Sequence, residues 1–450
     1  MRKTQRFAIW ILVLVFLLVG IMSLQKSSKS KSIEQFPLPK ELAHLLSKEY
    51  IKSVNRASHR LFQSSLLDTS DFINYVLPPI VNASDDNHWR QSVQNRYKKS
   101  SISDKQVNLL DFIDSCERIN KELKGWFKYG RVEFYEDAAS YEDLVTLKKG
   151  TCIGMTNLAV YTFRALGVPI SIDMVPNWGN INSNGHQWNV LITKDKKISF
   201  MGAESDMLGY EPFVISKDDS TRTATYKVPP KVYRECSTCP SKFLWQNKKV
   251  IDVTDEYFDT NDIHLPLSKT SNNLKLGIFS KGKYIEVANG IMEENQFIFT
   301  KMGVGLLYFP IISSQKDYIQ EIGYPIYLSK TGQQQLKPNI DRRTSVQVTY
   351  LNSLPETQMA YLTNYGYDEF EKQHGQNTVD FCPKPVEGVI YDLYIWDREW
   401  HKIQEAKMQE STGLTFRQVP TNAAYVVVKK GEQIENTRPF IYENKVQIWL

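Results

Sequence analysis

A cysteine at the start of a predicted apolar helix, followed by a histidine at the start of a predicted strand, constrains this chain most. Cys152 precedes an apolar run that ends at Gly167 and Pro169, a pattern that predicts the end of a helix. His186 comes 34 residues after Cys152, behind a loop rich in asparagine and glycine. A thiol at a helix N-terminus and an imidazole on a neighbouring strand are the minimum parts of a cysteine nucleophile.

The segments around this pair predict an α+β core. Ser140 opens a short helix with a serine-led capping pattern, and a second helix is predicted over 152–166. Strands are predicted over 168–175, 186–193 and 198–202. The order helix, strand, strand, strand favours an antiparallel sheet packed on the helix.

The predicted pair could carry out acyl transfer at an amide bond. The partial positive charge of a helix N-terminus and a nearby protonated His186 both favour the thiolate of Cys152. The free N–H groups of the same helix end, including that of Cys152, could hold an oxyanion. Attack on an amide would give a thioester, from which water would give hydrolysis and an amine would give a transferred amide.

Three motifs resemble the core of the transglutaminase-like superfamily over residues 140–205. They are Lys-Gly-Thr-Cys at 149–152, Tyr-Thr-Phe-Arg-Ala-Leu-Gly-Val-Pro at 161–169 and Gly-His-Gln-Trp-Asn at 185–189. Looser matches elsewhere resemble exported transglutaminase-like proteins of Bacteroidetes type. The resemblance implies a transglutaminase-like, papain-like cysteine enzyme core, with Cys152 as nucleophile and His186 as base.

The third catalytic member that this resemblance implies is an acid, usually aspartate, on the strand after the histidine. The expected position, just after Phe200, holds Met201. Glu204 is the first candidate to replace it and Asp206 the alternative, both at the end of that strand. Asn189 is a weaker candidate. An orienting acid holds the imidazole in the useful tautomer.

Three tryptophans are candidate substrate-binding residues. Trp178 and Trp188 flank His186 in the sequence, and they either wall a cleft over Cys152 or pack on the sheet. Trp126, upstream of the core, is a candidate second oxyanion donor through its indole N–H.

The N-terminus predicts export. Arg2, Lys3 and Arg6 precede an uncharged, mostly apolar run over 7–24, and a polar stretch follows. The run is at the border between a signal peptide and a signal anchor, because a bilayer core needs about 20 helical residues. We therefore expect residues 1–31 to be a signal peptide or signal anchor with a tether. The body would be periplasmic or at the cell surface, with membrane contact through this segment if it is uncleaved.

The charge of the body excludes a strong electrostatic preference for nucleic acid. The chain has 55 basic and 50 acidic residues, but six of the basic residues lie within 1–31, where no acid occurs. The remaining 49 basic residues nearly balance the 50 acidic ones. A near-neutral body does not favour a phosphate-rich partner.

The cysteines indicate one free thiol and one local pair. An odd count of five in an exported chain leaves a thiol free, and Cys152 is the candidate. Cys236 and Cys239 form a CxxC motif that could be a disulfide, half of a metal site or a redox pair. There is no second CxxC or nearby histidine pair, so we expect no metal and no cofactor. Export favours a disulfide.

A length of 450 residues predicts two to four domains. We expect a helical N-terminal section over 32–110, the transglutaminase-like core over 111–260, a β-sandwich domain over 261–354 and a C-terminal β domain over 355–450. Within 109–126 one helix is predicted. Its apolar face is expected to comprise Leu110, Ile113, Cys116 (or Glu117), Ile119 and Leu123.

The leading functional expectation is an exported thiol enzyme that acts on a peptide, protein or glycopeptide. Hydrolysis is favoured over crosslinking because water is abundant and nothing visible in the sequence selects an amine. The alternative is a non-catalytic surface binding protein that keeps the fold and uses its β domains. A third interpretation takes Cys236 and Cys239 as a redox pair.

Overall fold

The structure is a computed structural model, and it describes most of the chain from residue 54 onward. The described residues are 54, 57–59, 61–78, 88–98, 108–133, 139–182, 184–209, 227–236, 238–239, 244–245, 248–266, 273–313, 319–321, 323–352 and 383–449. The expected signal segment at 1–31 and Cys382 lie outside them. Among the described residues, no helix combines the length and apolar character that a membrane crossing requires.

Helices dominate the front of the described chain. They are α1 (Thr69–Tyr75), α2 (His88–Arg96), α3 (Leu109–Trp126), α4 (Tyr141–Leu147), α5 (Cys152–Ala165) and the short α6 (Thr254–Tyr257). The serine-led start predicted for α4 is confirmed, because Ser140 and Asp143 form a reciprocal capping box. Gly167 has a φ of 78° directly after α5, as a left-handed helix end requires.

Helix α3 has the predicted bounds but a different buried face. The predicted face began at Leu110, whose side chain is 73% exposed. The buried side is Phe112, Ser115, Cys116, Ile119, Asn120 and Leu123. The prediction was wrong at the start of the helix because it considered only the spacing of apolar residues and not buried polar ones. Asn120 is buried, since its amide bonds Met201 O at 3.2 Å and Ser205 O at 2.8 Å, and this fixes the rotation of the helix.

The core sheet lies beside α5. Its strands are β3 (Ile170–Val175), β4 (His186–Ile192), β5 (Lys197–Phe200), β6 (Tyr233–Glu235), β7 (Leu244–Trp245) and β8 (Lys248–Asp252), in the order β5-β4-β3-β6-β8-β7. All of these pairings are antiparallel, so the predicted helix–strand–strand–strand order is confirmed. The sheet is wider than predicted because β6 adds to the far edge of β3. A small parallel pair, β1 (Lys128–Tyr129) with β2 (Lys149–Gly150), precedes α5.

The rest of the described chain is β structure. Its strands are β9 (Thr260–Pro266), β10 (Lys275–Ser280), β11 (Lys283–Asn289), β12 (Ile291–Glu293), β13 (Gln296–Gly303), β14 (Leu306–Ser313), β15 (Ile319–Glu321), β16 (Ile326–Ser329), β17 (Gly332–Gln335), β18 (Asn339–Val348), β19 (Ile390–Trp396), β20 (Trp400–Lys407), β21 (Leu414–Thr421), β22 (Tyr425–Lys429), β23 (Phe440–Glu443) and β24 (Val446–Trp449). The fold is therefore mixed α/β with several antiparallel sheets. The sandwich arrangement and the domain limits near 261 and 355 stay predictions.

The CxxC pair forms the predicted disulfide. Cys236 and Cys239 are bonded to each other, and they pack against Val190, Ile192 and Tyr75 beside the core sheet. This position is a structural one, which agrees with the favoured interpretation of the motif. The two other described cysteines, Cys116 and Cys152, are free.

Candidate active site

Cys152 is an accessible thiol at the first residue of α5. Thr151 caps this helix, and its hydroxyl accepts the N–H of Ile153 at 3.4 Å. The Cys152 side chain is partly exposed, whereas Cys116 is fully buried. Burial raises the pKa of the Cys116 thiol well above its usual range. Of the two free thiols among the described residues, only Cys152 is placed for chemistry.

Hydrogen bonds join Thr156 of α5 to the first residues of β4. The Thr156 hydroxyl donates to Cys152 O at 2.9 Å and accepts from the Gln187 side-chain amide. The Asn189 amide donates to Thr156 O at 3.2 Å. Thr156 lies one helical turn after Cys152, so Gln187, the residue after His186, contacts α5 close to Cys152.

Strand alternation separates the side chains of β4 into two faces. Gln187 and Asn189 face α5, so His186 and Trp188 belong to the opposite face. His186 is the first residue of the strand. A contact between its ring and Cys152 thus requires an approach around the end of β4, not across the face of the sheet.

The imidazole of His186 lies between two buried indoles. The ring centroid of Trp178 is 6.3 Å from that of His186, and that of Trp188 is 5.9 Å away, each with an interplanar angle of 27°. Both indoles are buried, at 1% and 0% exposure. The ammonium of Lys227 lies 5.7 Å from the ring centroid of Trp178. The two tryptophans therefore clamp the histidine ring, and they do not form exposed walls of a cleft.

A buried polar network supports Trp188. Its indole N–H donates to the Tyr257 hydroxyl at 3.2 Å, and Tyr257 donates to Asp173 at 2.6 Å. Arg234 donates two hydrogen bonds to Asp173, at 2.8 and 2.7 Å, and pairs with Glu256 at 2.8 Å. A bidentate arginine–carboxylate pair is strong and directional, so it fixes the plane of the Asp173 carboxylate.

The electrostatics of this network favour a fully paired arrangement. Burial raises the pKa of Asp173, and the Arg234 guanidinium opposes that rise. Burial disfavours the charged form of Arg234, yet the Asp173 carboxylate holds its pKa well above the usual range. Burial also raises the pKa of Tyr257, which therefore keeps its hydroxyl proton for Asp173. Removing Arg234 would leave the buried carboxylate of Asp173 without its charged partner.

The residues proposed to orient His186 lie in different environments. Asp206 is 65% exposed and forms an ion pair with Lys124 at 2.7 Å, and the hydrogen bond from Lys124 lowers the pKa of Asp206. Asn189 is buried and faces α5, so it is wrong as an orienting residue for His186. Met201 is buried beside the end of β5. Glu204 lies in the exposed turn after β5 and stays a prediction.

Asp173 was missed because the search for an acid followed the strand after the histidine. Asp173 is on the preceding strand, directly opposite Trp188 in the register of β3 and β4. It lies on the same face as His186. A single aspartate inside the apolar run of β3 is a signal in the sequence, because an unpaired carboxylate is rarely buried.

The indole of Trp126 contacts two residues of the front helical section. Its indole N–H donates to the Tyr97 hydroxyl at 3.3 Å, and the Arg96 guanidinium lies 4.0 Å from its ring centroid. The donor is already used inside the front helical section. The expectation that Trp126 supplies an oxyanion donor stays a prediction, and it would require this indole N–H to exchange Tyr97 for the substrate.

Contacts from three parts of the chain fix the loop that carries Trp178. Gly179 N donates to Val228 O at 2.7 Å, and Leu306 of the middle β region packs against Gly179. Arg438, which precedes β23, donates to Gly179 O and to Phe279 O. Burial lowers the pKa of Arg438 to about 9. The clamp around His186 thus depends on residues far outside the core sheet.

The sequence-predicted nucleophile and base are held by different parts of the fold. The position of the Cys152 side chain is set by α5, whereas the position of the His186 ring is set by Trp178 and Trp188. Among the described residues, no group of three His, Cys, Asp or Glu side chains is arranged to hold a metal ion.

Comparisons with known proteins leave the family open. No family model and no curated protein matches this chain. Among solved structures, the chain is similar to a crystal structure of a proposed cysteine protease from Cytophaga hutchinsonii, with 16% sequence identity and a TM-score of 0.24. The match covers 41% of this chain and 62% of that chain, so the chain spans less than two thirds of the matched protein. A TM-score this low carries no argument, and the transglutaminase-like resemblance stays an expectation drawn from the motifs.

Proposed function

We propose that the protein is an exported transglutaminase-like thiol enzyme that acts on an amide bond of a peptide, protein or glycopeptide. One observation carries the proposal. The accessible free thiol of Cys152 starts α5, and Thr156, one turn further along this helix, is hydrogen-bonded to the residue after His186. The approach of the Cys152 sulfur to the His186 ring around the end of β4 is part of the proposal.

The proposed reaction begins with transfer of the thiol proton of Cys152 to His186. The thiolate attacks the amide carbon, and the N–H of Cys152 stabilises the oxyanion at the start of α5. The carbon–nitrogen bond then breaks, and the leaving amine takes the proton from the imidazolium. A thioester remains on Cys152. Water, activated by His186, attacks the thioester to release a carboxylic acid and restore the thiol.

In this proposal two features orient His186: the packing of two indoles, and an acid. The indole faces of Trp178 and Trp188 restrict rotation of the imidazole ring. Glu204 is the proposed acid, since it follows β5 and no aspartate occupies position 201. Ring restriction alone does not select the tautomer, so a slow enzyme is expected if Glu204 has no role.

The proposal is tested by the reactivity of Cys152. The rate of alkylation by iodoacetamide is measured over pH for the wild type and for His186→Asn, with a denatured sample as the reference thiol. We expect Cys152 to react faster than the reference near neutral pH, and the advantage to disappear in His186→Asn. Cys116→Ala is the matched control, because it removes a thiol that is buried. A Cys152 rate equal to the reference rate, unchanged by His186→Asn, refutes the proposal.

A second candidate is a non-catalytic surface binding protein. Met201 in the position expected for an aspartate favours it, as does the large share of β structure after residue 260. Peptide, cell-wall and glycopeptide libraries separate the two candidates when wild type is compared with Cys152→Ala. Product formed only by the wild type supports the enzyme. Binding that is equal in both proteins without product supports the binding protein.

A further inference from the structure

A polar cavity lies between two parts of the β structure, residues 334–344 on one side and residues 421–423 and 441–445 on the other. We call the part with β9–β18 the middle β region and the part with β19–β24 the C-terminal β region. The cavity has a volume of about 610 Å³, and its lining includes Gln334 of β17, Arg342 and Arg343 of β18, and Lys445 between β23 and β24. Ligand sites typically have volumes of about 300 to 1,000 Å³ and often lie between domains. The cavity is far in sequence from Cys152, and a ligand bound in it would be independent of the proposed function.

Positive charge distinguishes this cavity from the rest of the protein. Arg342, Arg343 and Lys445 line it with one acid, Glu443, whereas the chain after residue 31 is almost balanced. Arg343 donates one hydrogen bond, to Gln418 O at 2.9 Å. Within the described part of the chain, Arg342 and Lys445 have no ion-pair or side-chain hydrogen-bond partner. The cavity therefore offers unpaired cations and guanidinium N–H groups to a ligand.

The frame of the cavity is held in place by its own hydrogen bonds. The Asn422 amide donates to Gln335 O at 3.1 Å and to Lys337 O at 2.8 Å, and it accepts from Gln334 at 2.9 Å. These bonds join the two β regions at the cavity wall. Lys445 belongs to a two-residue hairpin turn in which both residues are left-handed, a turn that suits the twist of its strands.

The accessible lining does not suit an apolar ligand. The apolar members Leu336, Ala423 and Ile441 are at most 3% exposed, so their side chains are inside the walls. Tyr442 is half-buried, and its side chain packs against the cluster that contains Phe440. A ligand for this lining must carry anionic groups for the arginines, and hydroxyl groups for Glu443 and the side-chain amides.

We propose that this cavity binds a short saccharide carrying carboxylate or sulfate groups. Arginine pairs with carboxylate and sulfate oxygens through two parallel N–H donors. Glu443, Gln334 and Asn339 of the lining pair with sugar hydroxyls. A saccharide fits better than an acidic peptide because the accessible walls offer no apolar pocket for peptide side chains.

The test is calorimetric titration of the full chain with four probes. They are a heparin-derived tetrasaccharide, tetragalacturonate, neutral maltotetraose and tetraglutamate. We expect one site for an acidic saccharide, with affinity that falls as salt rises. Loss of the charge-assisted hydrogen bonds in Arg342→Gln/Arg343→Gln should weaken binding on the order of 100-fold. The relative affinities of the heparin and galacturonate probes show whether sulfate or carboxylate is the preferred group.

The matched control is Lys407→Gln/Lys429→Gln, which removes two charges from exposed positions of the same β region outside the cavity. It should keep wild-type affinity for the acidic saccharides, and thermal unfolding checks that both double variants are folded. Equal loss in both variants overturns the proposal, because only the net charge would then matter. Tighter binding of maltotetraose or tetraglutamate, or no binding by any probe, overturns it as well.

Discussion

Replacing Tyr257 by phenylalanine tests whether the buried network positions the site or only stabilises the fold. The change removes one hydroxyl, which accepts from Trp188 at 3.2 Å and donates to Asp173 at 2.6 Å. The same hydroxyl also forms a hydrogen bond with Ser199 at 2.9 Å. Trp188 would keep a buried N–H without an acceptor, and Asp173 would keep only its bonds from Arg234. An unsatisfied buried group costs about 1–3 kcal/mol and a lost hydrogen bond about 1 kcal/mol. We expect the free energy of unfolding to fall by about 2–4 kcal/mol.

The same change should alter the chemistry of Cys152, since Trp188 stacks on His186 at 5.9 Å between ring centroids. A Trp188 ring that has lost its hydrogen bond holds the imidazole less firmly. The pH profile of alkylation at Cys152 should then move toward that of a denatured thiol. Urea unfolding gives the stability change, and iodoacetamide kinetics under native conditions give the change in reactivity.

Tyr308→Phe is the matched control for this prediction. Tyr308 is also fully buried, and its hydroxyl donates to Gly303 O at 2.7 Å. It lies on β14 and has no hydrogen bond to the network around Asp173 among the described residues. Both variants should lose stability, but only Tyr257→Phe should change the alkylation profile. If the two variants change the profile equally, or if neither does, the network has no positioning role and the reasoning is refuted.

Two further predictions concern the periphery of the site. Arg438→Met leaves Gly179 O and Phe279 O without their donor, so it should destabilise the protein by about 2–5 kcal/mol and increase the mobility of Trp178, measured by quenching of tryptophan fluorescence. Arg438→Met without a change in quenching would contradict the role of this contact. Asp206→Asn removes an exposed ion pair and should cost less than about 1 kcal/mol. Because the pKa of Asp206 is lowered in the fold, its contribution is present above its ordinary value of 3.8 and is lost as the pH falls below that value. An alkylation profile of Asp206→Asn that differs from the wild type would contradict its assignment as a surface pair.

The sequence was sufficient to predict the elements that carry the site. Helix α5 and the three strands after it follow from periodicity and from the stop signals at Gly167 and Pro169. These signals are local, because a left-handed glycine and a proline act within one turn of the chain. The Cys236–Cys239 disulfide was likewise predicted from a local motif.

The contacts made across the fold could not be predicted in the same way. The network around Asp173 joins residues from β3, β4, β6 and α6, and no pattern within a short window pairs Arg234 with that aspartate. Burial of Asn120 likewise depends on the turn after β5, so the rotation of α3 was misjudged. The hydrogen bond from Trp126 to Tyr97 could not be predicted for the same reason, since Tyr97 follows another helix, α2.

The contact of Arg438 with Gly179 links the order of synthesis to the completion of the site. Arg438 follows every strand of the core sheet in the sequence, so a growing chain has made α5 and β4 long before this arginine exists. Until then the loop with Trp178 lacks one of its anchors. A product truncated before residue 438 would therefore contain the thiol and the imidazole without the complete clamp. The site is therefore complete only after residue 438 has been synthesised, although Cys152 and His186 are made much earlier.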